Sequence, residues 1–152
     1  MFSFRKFLCE NILAADQNHV QHETTSTHLC AMKKDIQTRA DITFWMTRFY
    51  DQLVQDEVTA VFFTHINLEQ HLPHIVDFWC FVLLDEAGYT TNVFNKHAGL
   101  RLEEIHFRHW VQHFVQTTDL LYEGEKAQLA KQRAKLLAST FYHKMSGIYL
   151  LF

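Results

Sequence analysis

Glycine and proline are scarce, with four glycines and one proline in 152 residues. A fold built from many short strands needs more turn formers than that, so a bundle of helices joined by short connections is the expected class, all-α. Cysteine is scarce too: Cys9, Cys30 and Cys80 form an odd set without metal-ligand spacing. That pattern excludes a disulfide framework or a zinc knuckle and fits reduced thiols in a cytoplasmic protein. No excess of positive charge exists, with 14 Lys and Arg against 17 Asp and Glu, and the charges are unclustered, so a nucleic-acid partner is not expected. Long apolar runs are also missing. The longest, 78–84, falls far short of the roughly 20 residues needed to cross a bilayer, so no membrane span is expected. At the N-terminus, Arg5 and Lys6 precede an apolar stretch that Glu10 and Asn11 interrupt, which is unlike an export signal. The chain contains no internal repeat, nucleotide-binding glycine loop or serine nucleophile motif.

What is present is apolar and aromatic. Hydrophobic residues make up 48% of the sequence and phenylalanine occurs 14 times, enough for one core in a chain too short for two. Residues 1–40 stand apart. Their stretch 17–27 is polar, rich in histidine and threonine and without period, and reads as a poorly ordered or loosely docked extension. His19, His22 and His28 there fit a solvated tract better than a metal site. A body of 41–147 follows, and 148–152 is a short apolar tail, docked on the body or held at a contact in a monomer or weak dimer.

From Asp41 the period is helical: Ile42, Trp45, Met46, Phe49, Leu53 and Val54 form one face, with Asp41 placed to cap it. Tyr50 borders that face, and its hydroxyl requires a partner, a ligand or water. The segment 56–66 reads as a bend carrying Val61, Phe62 and Phe63 into the core. Asn67 with Gln70 reads as a capping pair opening a second helix, and Pro73 lies just inside it. In this helix His71 shares a row with Ile75, Phe78 and Val82, while His74 shares one with Phe78 and Phe81. Periodicity does not choose between the two histidines. After a break at 88–92, Val93, Phe94 and His97 resume helical spacing and aim a second imidazole inward. Two inward histidines on separate helices suggest a pocket. Beyond Gly99 a helix starting at Leu102 or Glu103 buries Phe107, Trp110, Val111, Phe114, Thr118 and Leu121. Past Gly124 a last helix carries Ala127, Ala130, Ala134, Leu137, Phe141 and Met145.

His71, Pro73, the Asp77-Phe78-Trp79 step, Leu83-Leu84, Tyr89, His97 and the segment Phe107-Arg108-His109-Trp110 together resemble the pattern of the group III truncated haemoglobins. Arg48-Phe49-Tyr50 and Val61-Phe62-Phe63 fit it as well, and the likeness runs from about Ile42 to Gly147. It implies a two-over-two helical sandwich binding haem b, with His97 as the proximal iron ligand. Phe94 and Trp79 are then expected against the haem, and Lys96, by adjacency to His97 alone, is a candidate partner for a propionate, with a solvated lysine the commoner case. Tyr50, His71 and Trp110 take distal positions, where His71 either coordinates iron or only donates a hydrogen bond. Such a donor-rich pocket suits retention or chemistry of dioxygen, nitric oxide, carbon monoxide, sulfide or peroxide better than bulk transport. An activity of the nitric oxide dioxygenase or peroxidase kind, served by a reductase, is compatible with it. The sequence departs from the family pattern after Asp56, where a Gly-Pro turn is common, and at Thr91 and Val93, where a glycine and a proline are often seen. Two other readings compete: a non-catalytic haem sensor or helical interaction module, and a carboxylate-bridged di-metal bundle. The latter would use Glu103 and His106, but the motif is required on two helices and occurs once.

Overall fold

The computed structural model describes residues 33–147. The expectations for 1–32, including Cys9, Cys30 and the histidine-rich tract, and for the tail 148–152 lie outside the described residues. Within them the chain forms five α-helices and one short 3-10 helix, and no strand.

Helix α1, Arg39–Leu53, turns Ile42, Trp45, Met46, Phe49 and Leu53 fully inward, as read from the sequence, while Val54, read in the same row, is the half-buried C-cap. Its start differs from the expected one. Thr38 is the N-cap and Asp41 is the third helical residue: the Asp41 N–H donates to Thr38 Oγ1 at 3.2 Å while Asp41 Oδ2 accepts from the Thr38 N–H at 2.9 Å. This reciprocal box satisfies two donors that would otherwise be stranded, and it lies in a first turn without large apolar residues, where the core period leaves no mark.

The bend after α1 contains a 3-10 helix, Ala60–Phe63. The expectation that all of Val61, Phe62 and Phe63 enter the core is corrected here. Phe63 packs against the core, but Val61 is 61% exposed and Phe62 instead meets the edge of the His106 ring. A 3-10 turn rotates about 120° per residue, so three consecutive side chains cannot share one face.

Helix α2, Leu68–Leu84, starts at Asn67, whose side chain accepts the Gln70 N–H at 3.3 Å, and ends at Asp85 in the left-handed region. Its deepest row is Val76, Trp79, Cys80 and Leu83. The row His71, Ile75, Phe78 and Val82 is only half-buried, which sets it at the border of the core. Burial raises the Cys80 thiol to about 11, so it stays protonated and unreactive. Helix α3, Val93–His97, is a single capped turn. Helix α4, Glu104–Leu121, follows, and α5, Glu125–Met145, lays Ala127, Ala130, Ala134 and Ala138 against its neighbours. Small side chains there let the backbones approach closely.

Helices α1 and α2 form one pair and α4 and α5 the other, with α1 crossing α4 and α2 crossing α5. The two-over-two arrangement expected from the sequence is therefore present. Phe114 sits at the crossing, with ring centroids of Trp45, Phe49, Trp79 and Trp110 at 4.9, 5.2, 4.9 and 5.3 Å. Packing also reaches upstream of residue 41: Ile36 is fully buried in the same core. Asp35 accepts the Lys126 and Ala127 N–H groups at 2.9 Å each, capping α5 from the other end of the chain. A Cβ on Gly124 would lie 2.3 Å from the Asp35 carboxyl carbon, and Gly124 holds φ +144, so glycine is required there twice over. Among the described residues no helix is long and apolar enough to cross a membrane.

Candidate functional site

The residues singled out in the sequence fall into two groups, His71, Phe94, Lys96 and His97 on α2 and α3, and Tyr50 and Trp110 around Phe49. His97, last residue of α3, turns its Nδ1 to the Val93 carbonyl one helical turn back, at 2.7 Å. A carbonyl only accepts, so Nδ1 carries the proton and the Nε2 lone pair of a neutral ring is left free. The ring packs beside Phe141 of α5, centroids 5.8 Å apart, and Phe94 meets the same Phe141 edge-on at 5.3 Å. Lys144 sits over the Phe94 ring at 4.9 Å. Lys96, in contrast, is exposed and makes no ion pair with another described residue.

His71 is half-buried whereas His74 is exposed and Phe81, in its row, is 46% exposed. The choice that periodicity left open thus falls to His71 as the inward ring. Burial, followed by the nearness of His97 and His74, holds the His71 imidazole below its ordinary pKa. The two inward histidines are therefore close enough for charge on one to disfavour charge on the other, and His71 is neutral at pH 7.

Tyr50 lies between Phe49 and Phe63, edge-on to both at 5.1 and 5.8 Å. Burial drives its phenol well above the ordinary value, so it is a permanent O–H donor. Trp110 stacks on Phe114 and meets Phe49 edge-on at 5.5 Å. Phe49 thus touches both Tyr50 and Trp110 and fixes their relation across α1 and α4. Among the described residues, no hydrogen bond to another side chain or to the backbone is made by the Tyr50 hydroxyl, the His71 ring or the Trp110 indole, while the fully buried donor without a partner is Trp45 Nε1, inside the core. Trp79 is the outlier of the expected set. It is 2% exposed and packed between Trp45, Phe78 and Phe114, within the core.

Sequence reasoning did not single out Phe141 for the site, although it touches both Phe94 and His97. Its only signal was membership of the apolar row of α5, which says that a residue is inward but not what it faces. Two surface concavities, one near Glu123, Glu125 and Gln132 and one near Lys34, Asp41 and Phe44, include no residue of this set.

An imidazole with a free Nε2 beside half-buried apolar rings fits haem, which needs a strong axial ligand in apolar surroundings. Comparison with known proteins agrees. The chain is 25% identical to the group 3 truncated hemoglobin of Campylobacter jejuni over 121 residues, which is 75% of this chain and 95% of that protein. The crystal structure of group III truncated hemoglobin from Campylobacter jejuni superposes with a TM-score of 0.67, covering 78% of this chain and 97% of that one at 25% identity. No protein-family model matches the chain. The likeness read from the sequence thus holds in sequence and in three dimensions, and the fold is that of a truncated globin.

Proposed function

We propose that this chain, a truncated globin in fold and similar to the group III truncated haemoglobins in sequence, binds one haem b and, on it, a small ligand such as dioxygen, nitric oxide or carbon monoxide. The observation that carries this reading is the bond from His97 Nδ1 to the Val93 carbonyl at 2.7 Å, which leaves Nε2 as the coordinating nitrogen. Haem, when bound, would supply an iron centre able to take a small diatomic ligand, with His97 as the residue that holds it.

The chain's own residues do the rest. Phe141 packs beside the His97 ring and is itself braced by Phe94. Trp79 stiffens the adjoining wall of α2 from inside the core. Lys96 is exposed beside His97 and free to meet a propionate. On the other side, Tyr50 offers an O–H that cannot ionise, neutral His71 an N–H and Trp110 its indole N–H. Donors of this kind slow the release of a ligand that carries partial negative charge, so the site favours retention or chemistry over free exchange. Redox turnover would draw on a separate reductase, and a cytoplasmic setting would suit one.

The test is the absorption spectrum of the purified protein in ferric, ferrous and carbon monoxide-bound forms. A Soret band with one-to-one haem is expected, and His97→Ala should abolish stoichiometric retention. Full haem uptake with an unchanged ferrous spectrum in His97→Ala would overturn the assignment.

A further inference from the structure

A second cluster of polar side chains joins α4 to the turn that follows α1. His109 and His113, four residues apart on one face of α4, both point at Asp56, which follows the end of α1. Asp56 Oδ2 lies 3.0 Å from His109 Nδ1 and 2.9 Å from His113 Nε2. The carboxylate is already aimed: its Oδ1 accepts the Val58 and Thr59 N–H groups at 2.9 and 3.0 Å, leaving Oδ2 to the imidazoles.

We propose that Asp56, His109 and His113 form a mononuclear site for a divalent transition metal of the zinc type, made of residues other than those grouped with His97. Two imidazole nitrogens and one carboxylate oxygen are donors that borderline divalent ions favour. Around an ion with bonds of about 2.05 Å, tetrahedral donors stand roughly 3.3 Å apart. The two separations from Asp56 Oδ2 are a few tenths of an ångström shorter, and all three donor atoms lie within 4.8 Å of one another, so the two imidazoles would turn about Oδ2 to admit the ion.

The surroundings supply the outer support such ligands need. His113 Nδ1 lies 3.3 Å from Gln52 Oε1. The Asp56 carboxylate only accepts, so without an ion His113 Nε2 carries the proton that bridges to Oδ2 at 2.9 Å, and a bound cation would take the place of that proton. Thr117 Oγ1 donates to the His113 carbonyl at 2.7 Å and stands 3.1 Å from Gln52 Oε1, fixing that corner. Access is open as well: the side chains of Asp56, His113 and His109 are 15, 20 and 28% exposed, which leaves the fourth coordination position to water. In the metal-free state protons on the imidazoles take the cation's place, and binding displaces them into solvent.

The same geometry serves a purely structural cluster of proton-bridged side chains, so the experiment must separate the two. Full-length protein, dialysed against a chelator, is titrated with zinc chloride by calorimetry at pH 7, and its thermal midpoint is read with and without zinc. One equivalent of zinc is expected, with a raised midpoint. Asp56→Asn and His113→Gln should each weaken that binding at least tenfold, while His65→Gln, on the exposed loop before α2, should leave it unchanged. If Asp56→Asn fails to fold by circular dichroism, His113→Gln and His109→Gln decide. No binding at this stoichiometry, or equal affinity in wild type and both histidine variants, would overturn the site and leave a structural cluster.

Discussion

Tyr50 is held by two aromatic edges and makes no hydrogen bond to another described residue, so its hydroxyl can be removed with little effect on packing. If it serves a dioxygen ligand, the lost bond is worth about 1.5 kcal/mol, and at ~1.4 kcal/mol per factor of ten Tyr50→Phe should speed dioxygen release about tenfold. Carbon monoxide, a poorer acceptor, should leave at nearly the wild-type rate in flash photolysis. Equal acceleration of both ligands would indicate steric gating, and no change in either would return Tyr50 to the role of a boundary residue. Phe114 makes the opposite case. It meets four other rings at the helix crossing, so Phe114→Ala should cost ~3–5 kcal/mol in denaturant unfolding. At this scale the sequence was informative about side chains whose row repeats: the five core positions of α1 could be read directly. It was silent on Asp56, because the residues that complete its cluster stand 53 and 57 positions away.

Helix ends divide in the same way. The Asn67 cap of α2 is local and was legible, and the Thr38 box of α1 was local but lay outside the apolar period. The cap of α5 is neither, since Asp35 reaches Lys126 and Ala127 across 91 and 92 residues. Asp35→Ala should therefore destabilise the protein by ~1–2 kcal/mol, as loss of a helix cap does, although residue 35 falls in what reads as the extension. Burial alone would raise the carboxyls of Asp35 and Asp41. The N–H donors on Asp35, and Lys34, Gln37 and Thr38 around Asp41, outweigh it and hold both below the ordinary value. A depressed folded-state pKa binds fewer protons than the unfolded chain, so this stability is complete above the usual carboxylate range, near 3.9, and is lost as pH falls below it. Thermal midpoints followed by circular dichroism from pH 5 to pH 2.5 should fall, and Asp35→Asn should flatten part of that slope.

For the whole molecule, the helix count and the pairing into two layers were legible because long apolar rows and two breaks, at 88–92 and at Gly124, punctuate the chain. That the packing extends upstream of residue 41 was not, because Ile36 is a single apolar residue in polar surroundings and carries no period. A chain starting at Lys33 should keep the fold and the haem spectrum, whereas one starting at Gln37 loses both Ile36 and the Asp35 cap and should melt several degrees lower. Helix α3 adds a property of a different kind. Its hydrogen bond from His97 to Val93 closes within a single turn, while its place in the molecule depends on Phe94 and His97 resting on Phe141. Where the imidazole stands and which of its nitrogens is bare are thus governed by separate contacts. A slide of α3 along α5 would carry the ring with its tautomer intact, like a tool moved without being re-gripped, and only unwinding of that one turn would let the proton change sides.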